Sequence, residues 1–311
     1  MLLKRNRTAM ISLWFLAVVA TCAVLIPVLL PAGLTETSSG TFLPPLTRSP
    51  DGQLMHVCGT DVNGQDLFFR LLTGARVSLG IGVVGAMLSL LVGTIYGMIS
   101  GFAGGRVDGF MMRLVDVLYS VPRVLFIMIF IAAFDSFLKD GLDGARLWFQ
   151  AHQWTSLEGV TRNLLPYSRL LVMVVALGLV EWLTMARIIR GQVLVLREMA
   201  FVTAARAMGQ GTSVILRKHL LPNLSTIILT YLTLTIPAVI LDESFLSFLG
   251  LGIEDPAASW GSLLKDGAQV INPIDSKWWL LVFPAVLMSS SLLALNFLGD
   301  GLRDAFDPRS E

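Results

Sequence analysis

Residues 79–102 read Leu-Gly-Ile-Gly-Val-Val-Gly-Ala-Met-Leu-Ser-Leu-Leu-Val-Gly-Thr-Ile-Tyr-Gly-Met-Ile-Ser-Gly-Phe, a stretch without one charged side chain. About 20 apolar residues in a row suffice for a helix to cross the hydrocarbon of a bilayer, so this stretch is a membrane span. Gly93, Gly97 and Gly101 recur every fourth position and share one helix face. Small residues at that spacing let helix backbones approach closely in lipid, and the span is expected to pack against protein.

Five more apolar runs surround it, at about 9–31, 110–134 (interrupted by Pro122-Arg123), 170–189, 224–241 and 278–298. Six such spans would use roughly 120 of the 311 residues. The composition agrees: 54% hydrophobic, 14% charged and a mean hydropathy of +0.72, far from a soluble globular mixture. The expected fold is all-α and polytopic, a six-span membrane protein. Its expected division is 1–32, tail and first span; 33–76, an extracytoplasmic segment rich in Thr, Ser, Pro and Gly; 77–301, a core of five spans; and 302–311, a second tail.

Charge narrows the function. Lysine and arginine number 23 against 22 acidic residues, so no positive excess exists to hold a phosphate backbone, and nucleic acid is excluded as a partner. The two cysteines, Cys22 and Cys58, form no disulfide framework, and His56, His152 and His219 are scattered, so no metal site or cofactor is expected. There is neither a GxxxxGK[ST] loop nor an HExxH pair. The chain is expected to be no enzyme, with no catalytic residues and no nucleotide site of its own.

Orientation follows from the density of Lys and Arg. Lys4, Arg5 and Arg7 precede the first run, which at roughly 23 residues exceeds the 7 to 15 of a secretory signal and reads as an uncleaved span. Arg187, Arg190, Arg197, Arg206, Arg217 and Lys218 crowd the segment between the fourth and fifth spans. Both termini and that segment are therefore expected in the cytoplasm.

The segment 187–222 is far longer than the roughly two to eight residues that join adjacent helices. Its first half, 196–208, is alanine-rich and helix-forming, and it stops at Gly209-Gln210-Gly211. Thr212 or Ser213 is expected to cap a second helix running through Leu221 and closed by Pro222. A helix-turn-helix along the inner membrane face results.

Thr203-Ala204-Ala205-Arg206-Ala207-Met208-Gly209, nine residues, then His219-Leu220-Leu221-Pro222 resembles the "EAA" signature of the permease subunits of binding-protein-dependent ABC importers. Thr203 stands where that family has glutamate, and His219 where it has an aliphatic residue. His56 to Asp61, Gly74 to Leu79, Ala186 to Gln192, Glu243 to Gly252, Ser259-Trp260-Gly261 and Asn296 to Asp304 are similar to the oligopeptide, dipeptide and nickel branch, in its C-type subunit. Gln65, where the branch has arginine, and a longer stretch at 135–167 are departures.

The resemblance implies a type I ABC importer permease fold and a chain that carries peptides or a related small solute across the bacterial cytoplasmic (inner) membrane. It implies as partners a homologous second permease, two ABC ATPase subunits and an extracytoplasmic solute-binding protein. It further implies that the segment 196–222 couples to the ATPase, through Thr203, Ala204, Ala205, Gly209, Leu221 and Pro222.

Charged residues within spans are functional flags. Arg123, beside Pro122, and Glu181 are candidates for the translocation path, since a proline-broken helix exposes backbone groups where a cavity satisfies them. Asp116 is expected to pair with Arg113 on its own helix. The aromatic run 148–154 reads as an amphipathic helix packed at the outer interface. Two other classes compete: an autonomous ion-coupled carrier or channel using Glu181 and Arg123, and an intramembrane protease using Asp116 and Asp242. The carrier would not need the long cytoplasmic helix pair, and the two carboxylates of the protease are expected near opposite membrane faces, too far apart to share a water.

Overall fold

The computed structural model describes residues 6–29, 40–48, 55–253, 257–272 and 275–306; Lys4, Arg5 and Arg309 lie outside them. Helices dominate: α1 (Arg7–Leu29), α2 (Leu67–Ala103), α3 (Gly105–Ser120), α4 (Arg123–Ala151), α5 (Thr155–Leu164), α6 (Ser168–Leu196), α7 (Ala200–Ala207), α8 (Thr212–Val214), α9 (Leu221–Phe248), α10 (Trp260–Val270) and α11 (Trp279–Phe306). A short antiparallel pair, β1 (Thr47–Arg48) with β2 (Met55–His56), precedes α2. Among the described residues five helices are long and apolar enough to cross a membrane, and a sixth crossing exists if α3 and α4, bent by 90° at their junction, count as one. Two compact units divide the chain, 1–83 with 240–302 and 84–239 with 303–311.

In the first unit α2 begins at Leu67, well before the apolar run that marks it in the sequence. Asp66 sets that start: its Oδ1 accepts the Phe69 N–H at 3.1 Å as a helix cap, and its Oδ2 lies 2.7 Å from His56 Nδ1. Leu67 and Leu71 then bury against Cys58, Leu263, Trp279 and Leu280. Arg70, one turn on, pairs with Asp61 and lies 3.6 Å from Asp266 of α10. Burial, aided by the Asp66 carboxylate, pushes the Cys58 thiol up to about 11, which leaves it almost wholly protonated near neutrality.

Motifs that are distant in sequence meet in this unit. Glu243 of α9 is fully buried and accepts hydrogen bonds from Ser78 of α2 (3.0 Å) and Ser247 (2.7 Å). The Ser78 hydroxyl oxygen in turn accepts the Trp260 N–H at 3.1 Å. Ser259 and Ser262 close a reciprocal capping box at the start of α10. A side chain at Gly74 would press on Ser259, Trp260 and Leu263, and one at Gly261 would run into the Ser244 backbone. Close packing and a serine-bonded carboxylate thus join α2, α9 and α10.

In the second unit the glycine face of α2 lies on α6. Gly93 faces Trp182 and Met185, Gly97 faces Ala186, Ile189 and Arg190, and Gly101 faces Arg190 and Val193. α2 ends at Gly104, whose φ of +66° suits glycine alone, and a Cβ there would strike the Arg197 guanidinium. The run at 110–134 breaks at Val121, which is extended (φ −77°, ψ 131°) because the following Pro122 disfavours the helical region. Helix α4 continues unbroken to Ala151, so Trp148 and Phe149 sit on its last turn rather than on a separate amphipathic helix, and α5 follows after a short turn. The expected reading of 148–154 is corrected accordingly.

Candidate coupling segment and intramembrane ion pair

Helix α6 runs to Leu196, and the chain turns through Arg197–Met199 into α7. Helix α7 ends in a Schellman motif: the Gly209 N–H bonds Arg206 O at 2.9 Å, the Gln210 N–H bonds Ala205 O at 3.1 Å, and Gly209 takes φ +77°. Gly211 precedes Thr212 in extended backbone and caps without a side chain, so Thr212 is the first helical residue rather than the cap. The helix does not close at Pro222 either. A π-helical stretch, Ile215–Leu220, leads directly into α9, and Pro222 sits in the first turn of that helix. A π turn widens the backbone locally, which accommodates a proline that has no N–H to offer.

This segment has a buried base and an exposed crest. Val202, Ala205, Ile215, Leu220 and Leu224 are buried and pack with Met98, Ile189 and Val193. Arg206 lies over the Phe102 ring at 5.0 Å, and Arg197 donates to Gly101 O at 3.0 Å, tying the segment to the end of α2. His219 Nε2 lies 2.8 Å from Gln210 Oε1 and closes the turn from the other side. Of the six residues singled out, Thr203, Ala204, Gly209, Leu221 and Pro222 are exposed, whereas Ala205 is fully buried. Ala205 therefore presents nothing to a partner; its small size lets α7 seat on the core.

The two path candidates, far apart in sequence, come together. Arg123, the first residue of α4, lies 2.6 Å from Glu181 of α6, with side chains 45% and 11% exposed. Glu181 falls near the middle of α6, about 20 Å from either end. Both line a cavity of about 330 Å³ beside the α3–α4 break, with Tyr119, Ser120, Phe126 and Thr184. In a low-dielectric setting each charge neutralises the other.

Asp116 does not pair with Arg113. It accepts from Arg187 of α6 at 2.7 Å, and the Arg187 guanidinium also stacks 4.3 Å from the Tyr119 ring. A neighbouring helix outcompetes the local i,i+3 partner because α3 packs on α6. A second interhelix pair escaped the sequence reading altogether. Arg190 binds Asp108 through two hydrogen bonds, at 2.6 and 2.5 Å, and Ser100 donates to the same carboxylate at 2.6 Å. Its only sequence signal is an acidic residue in the first turn of α3, just past two glycines.

Comparison with known proteins gives consistent matches. The profile described as "Binding-protein-dependent transport system inner membrane component" matches residues 93–311, and that described as "N-terminal TM domain of oligopeptide transport permease C" matches residues 2–45. The chain is similar to the dipeptide transport system permease protein DppC of Bacillus subtilis, 40% identical over 308 residues, covering 99% of this chain and 83% of the relative. It is 38% identical over 304 residues to the oligopeptide transport system permease protein OppC of Escherichia coli K12, covering 98% and 88%. Among solved structures, the inward facing MetNI methionine ABC transporter matches with a TM-score of 0.51 at 18% identity, over 77% of this chain and 97% of that one, a likeness of fold alone.

Proposed function

The chain belongs to the family of binding-protein-dependent transport system inner membrane components, and on that premise we propose how its parts serve import. It is a multi-pass permease subunit of an ATP-driven ABC importer of the bacterial inner membrane, a transport component rather than an enzyme. It works with other permease, ATPase and binding-protein subunits. Membership sets aside the autonomous carrier and the intramembrane protease.

The assembly we propose holds one homologous second permease, two ATPase subunits and a solute-binding protein, and it carries peptides, the solute class named for the relatives. ATP is hydrolysed on the partners alone. Both termini lie in the cytoplasm, with 1–32 the tail and first span, 33–76 extracytoplasmic, 77–301 the permease core and 302–311 the second tail.

One observation carries the coupling reading: an exposed crest of Thr203, Ala204, Gly209, Leu221 and Pro222 stands on a buried base tied to α2 and α6. The crest seats in a groove of an ATPase subunit, and the base passes its movement to the spans. Arg123 and Glu181 line the translocation path and hold it neutral between transport cycles. The test is a pull-down of the tagged chain from mild detergent, with mass spectrometry and an ATPase assay of the eluate. A second permease with nucleotide-hydrolysing subunits supports the assembly; a lone, ATPase-free chain from repeated preparations contradicts it.

A further inference from the structure

We propose that the Arg123–Glu181 pair is a recognition site for the two charged ends of a small zwitterion, such as a dipeptide, so that this subunit itself selects its solute. The inference rests on the reading of these residues as path-lining.

The site carries one cation and one anion 2.6 Å apart, near the middle of a 29-residue helix. Charge there is tolerated only when matched. A solute bearing one ammonium and one carboxylate replaces a single ion pair by two, with the carboxylate on Arg123 and the ammonium on Glu181. The summed charge stays at zero throughout. A solute with only one charged end breaks the resting pair and leaves either Glu181 or Arg123 without a counter-charge. The pair therefore discriminates by the number and sign of the solute's charges, whatever its side chains.

The surroundings fit the same ligand. The cavity of about 330 Å³ lies at the small end of the roughly 300–1,000 Å³ typical of ligand pockets. Tyr119 and Thr184, whose hydroxyls lie 3.4 Å apart, and Ser120, which donates to Val117 O, keep oxygen lone pairs able to accept a peptide N–H, and Phe126 offers an apolar wall. Arg123 is also the first residue of α4, where the helix start carries a partial positive charge.

The test uses the complete permease–ATPase complex in lipid nanodiscs, without binding protein, and equilibrium dialysis of radiolabelled dialanine, N-acetyl-dialanine and dialanine amide. The wild type is expected to hold dialanine about tenfold more tightly than either derivative, the change expected for one lost charge-assisted contact. Glu181→Gln is expected to level the difference between dialanine and its N-acetyl form only; Arg123→Gln is expected to level that between dialanine and its amide only. The exchanged double variant, Arg123→Glu with Glu181→Arg, keeps a pair and is expected to keep the preference for dialanine. Equal losses for all three probes, unchanged discrimination in the single variants, or no binding to the wild type would each overturn the proposal. ATP-driven uptake separates it from its premise. Impaired uptake with unchanged discrimination removes end recognition but keeps the residues on the path, whereas wild-type uptake by both single variants removes them from the path altogether.

Discussion

Gly97→Ala adds a single methyl group where α2 crosses α6, and the structure says what it meets. An ideal Cβ at Gly97 lies 2.5 Å from Ala186 O, 2.9 Å from Ile189 Cβ and 3.0 Å from Arg190 N. Two of these are backbone atoms, and none can swing aside. The helices must separate locally, and overpacking of this kind costs about 1–3 kcal/mol. The separation also pulls on Arg190, whose guanidinium holds Asp108 at 2.5 and 2.6 Å. Gly80→Ala is the matched control, on the same helix with nothing within 4 Å of its Cβ. Alanine there gains about 0.8–1.0 kcal/mol of helix propensity, so the two variants differ in sign. Thermal unfolding of the purified subunit in one detergent, followed by tryptophan fluorescence, reads the difference. Gly97→Ala is expected to melt clearly below the wild type and Gly80→Ala at or above it. Equal midpoints would refute the glycine seam as the contact that holds α2 to α6.

Asp108→Ala removes both hydrogen bonds to Arg190 and leaves that guanidinium one-third exposed without its carboxylate; with discount for that exposure, a loss of about 1–3 kcal/mol is expected in the same melt, and an unchanged midpoint would contradict it. The raised Cys58 thiol, about 11 against an ordinary 9.0, holds about a hundredfold less thiolate near pH 8. Cys58 is therefore expected to resist a maleimide in the folded protein and to react after unfolding, as mass spectrometry would show; prompt labelling of the native chain would count against its burial. Ser78→Val takes a donor from the buried Glu243 and an acceptor from Trp260 N–H. It is expected to destabilise the subunit by about 1–3 kcal/mol, whereas Ser290→Val, on a half-buried hydroxyl that donates to Val286 O and Leu287 O of its own helix, is expected to cost less.

The spans were legible because about 20 uncharged residues have few other places to go, and the Pro122 break was legible because proline biases its predecessor. What the sequence hid are contacts that depend on which helix lies beside which. Arg123 and Glu181 each stood out as charges inside apolar runs, yet nothing in 58 positions of separation marks them as partners. A local rule that holds for isolated helices pairs Asp116 with Arg113, whereas in the fold Arg187 of α6 supplies the guanidinium. Pro222 looked like a stop because the π turn before it leaves no mark in composition. Asp66, which starts α2 early, acts through a side-chain cap ahead of the apolar run, where hydropathy is silent. The interior position of Ala205 was equally hidden, since the signature treats it like Ala204, whereas the turn of α7 faces one inward and the other out.

The coupling role proposed for residues 196–222 predicts the behaviour of Gly209→Asp. Gly209 is exposed, a Cβ there meets nothing within 4 Å, and aspartate is among the residues that best tolerate its φ of +77°. The fold should therefore survive, at a cost of roughly 1–2 kcal/mol, while bulk and charge spoil the crest. Reconstituted with its partner subunits, the variant is predicted to insert normally and to lose ATP-driven uptake. Normal uptake by an inserted Gly209→Asp subunit would contradict the claim that this turn transmits the work of the ATPase.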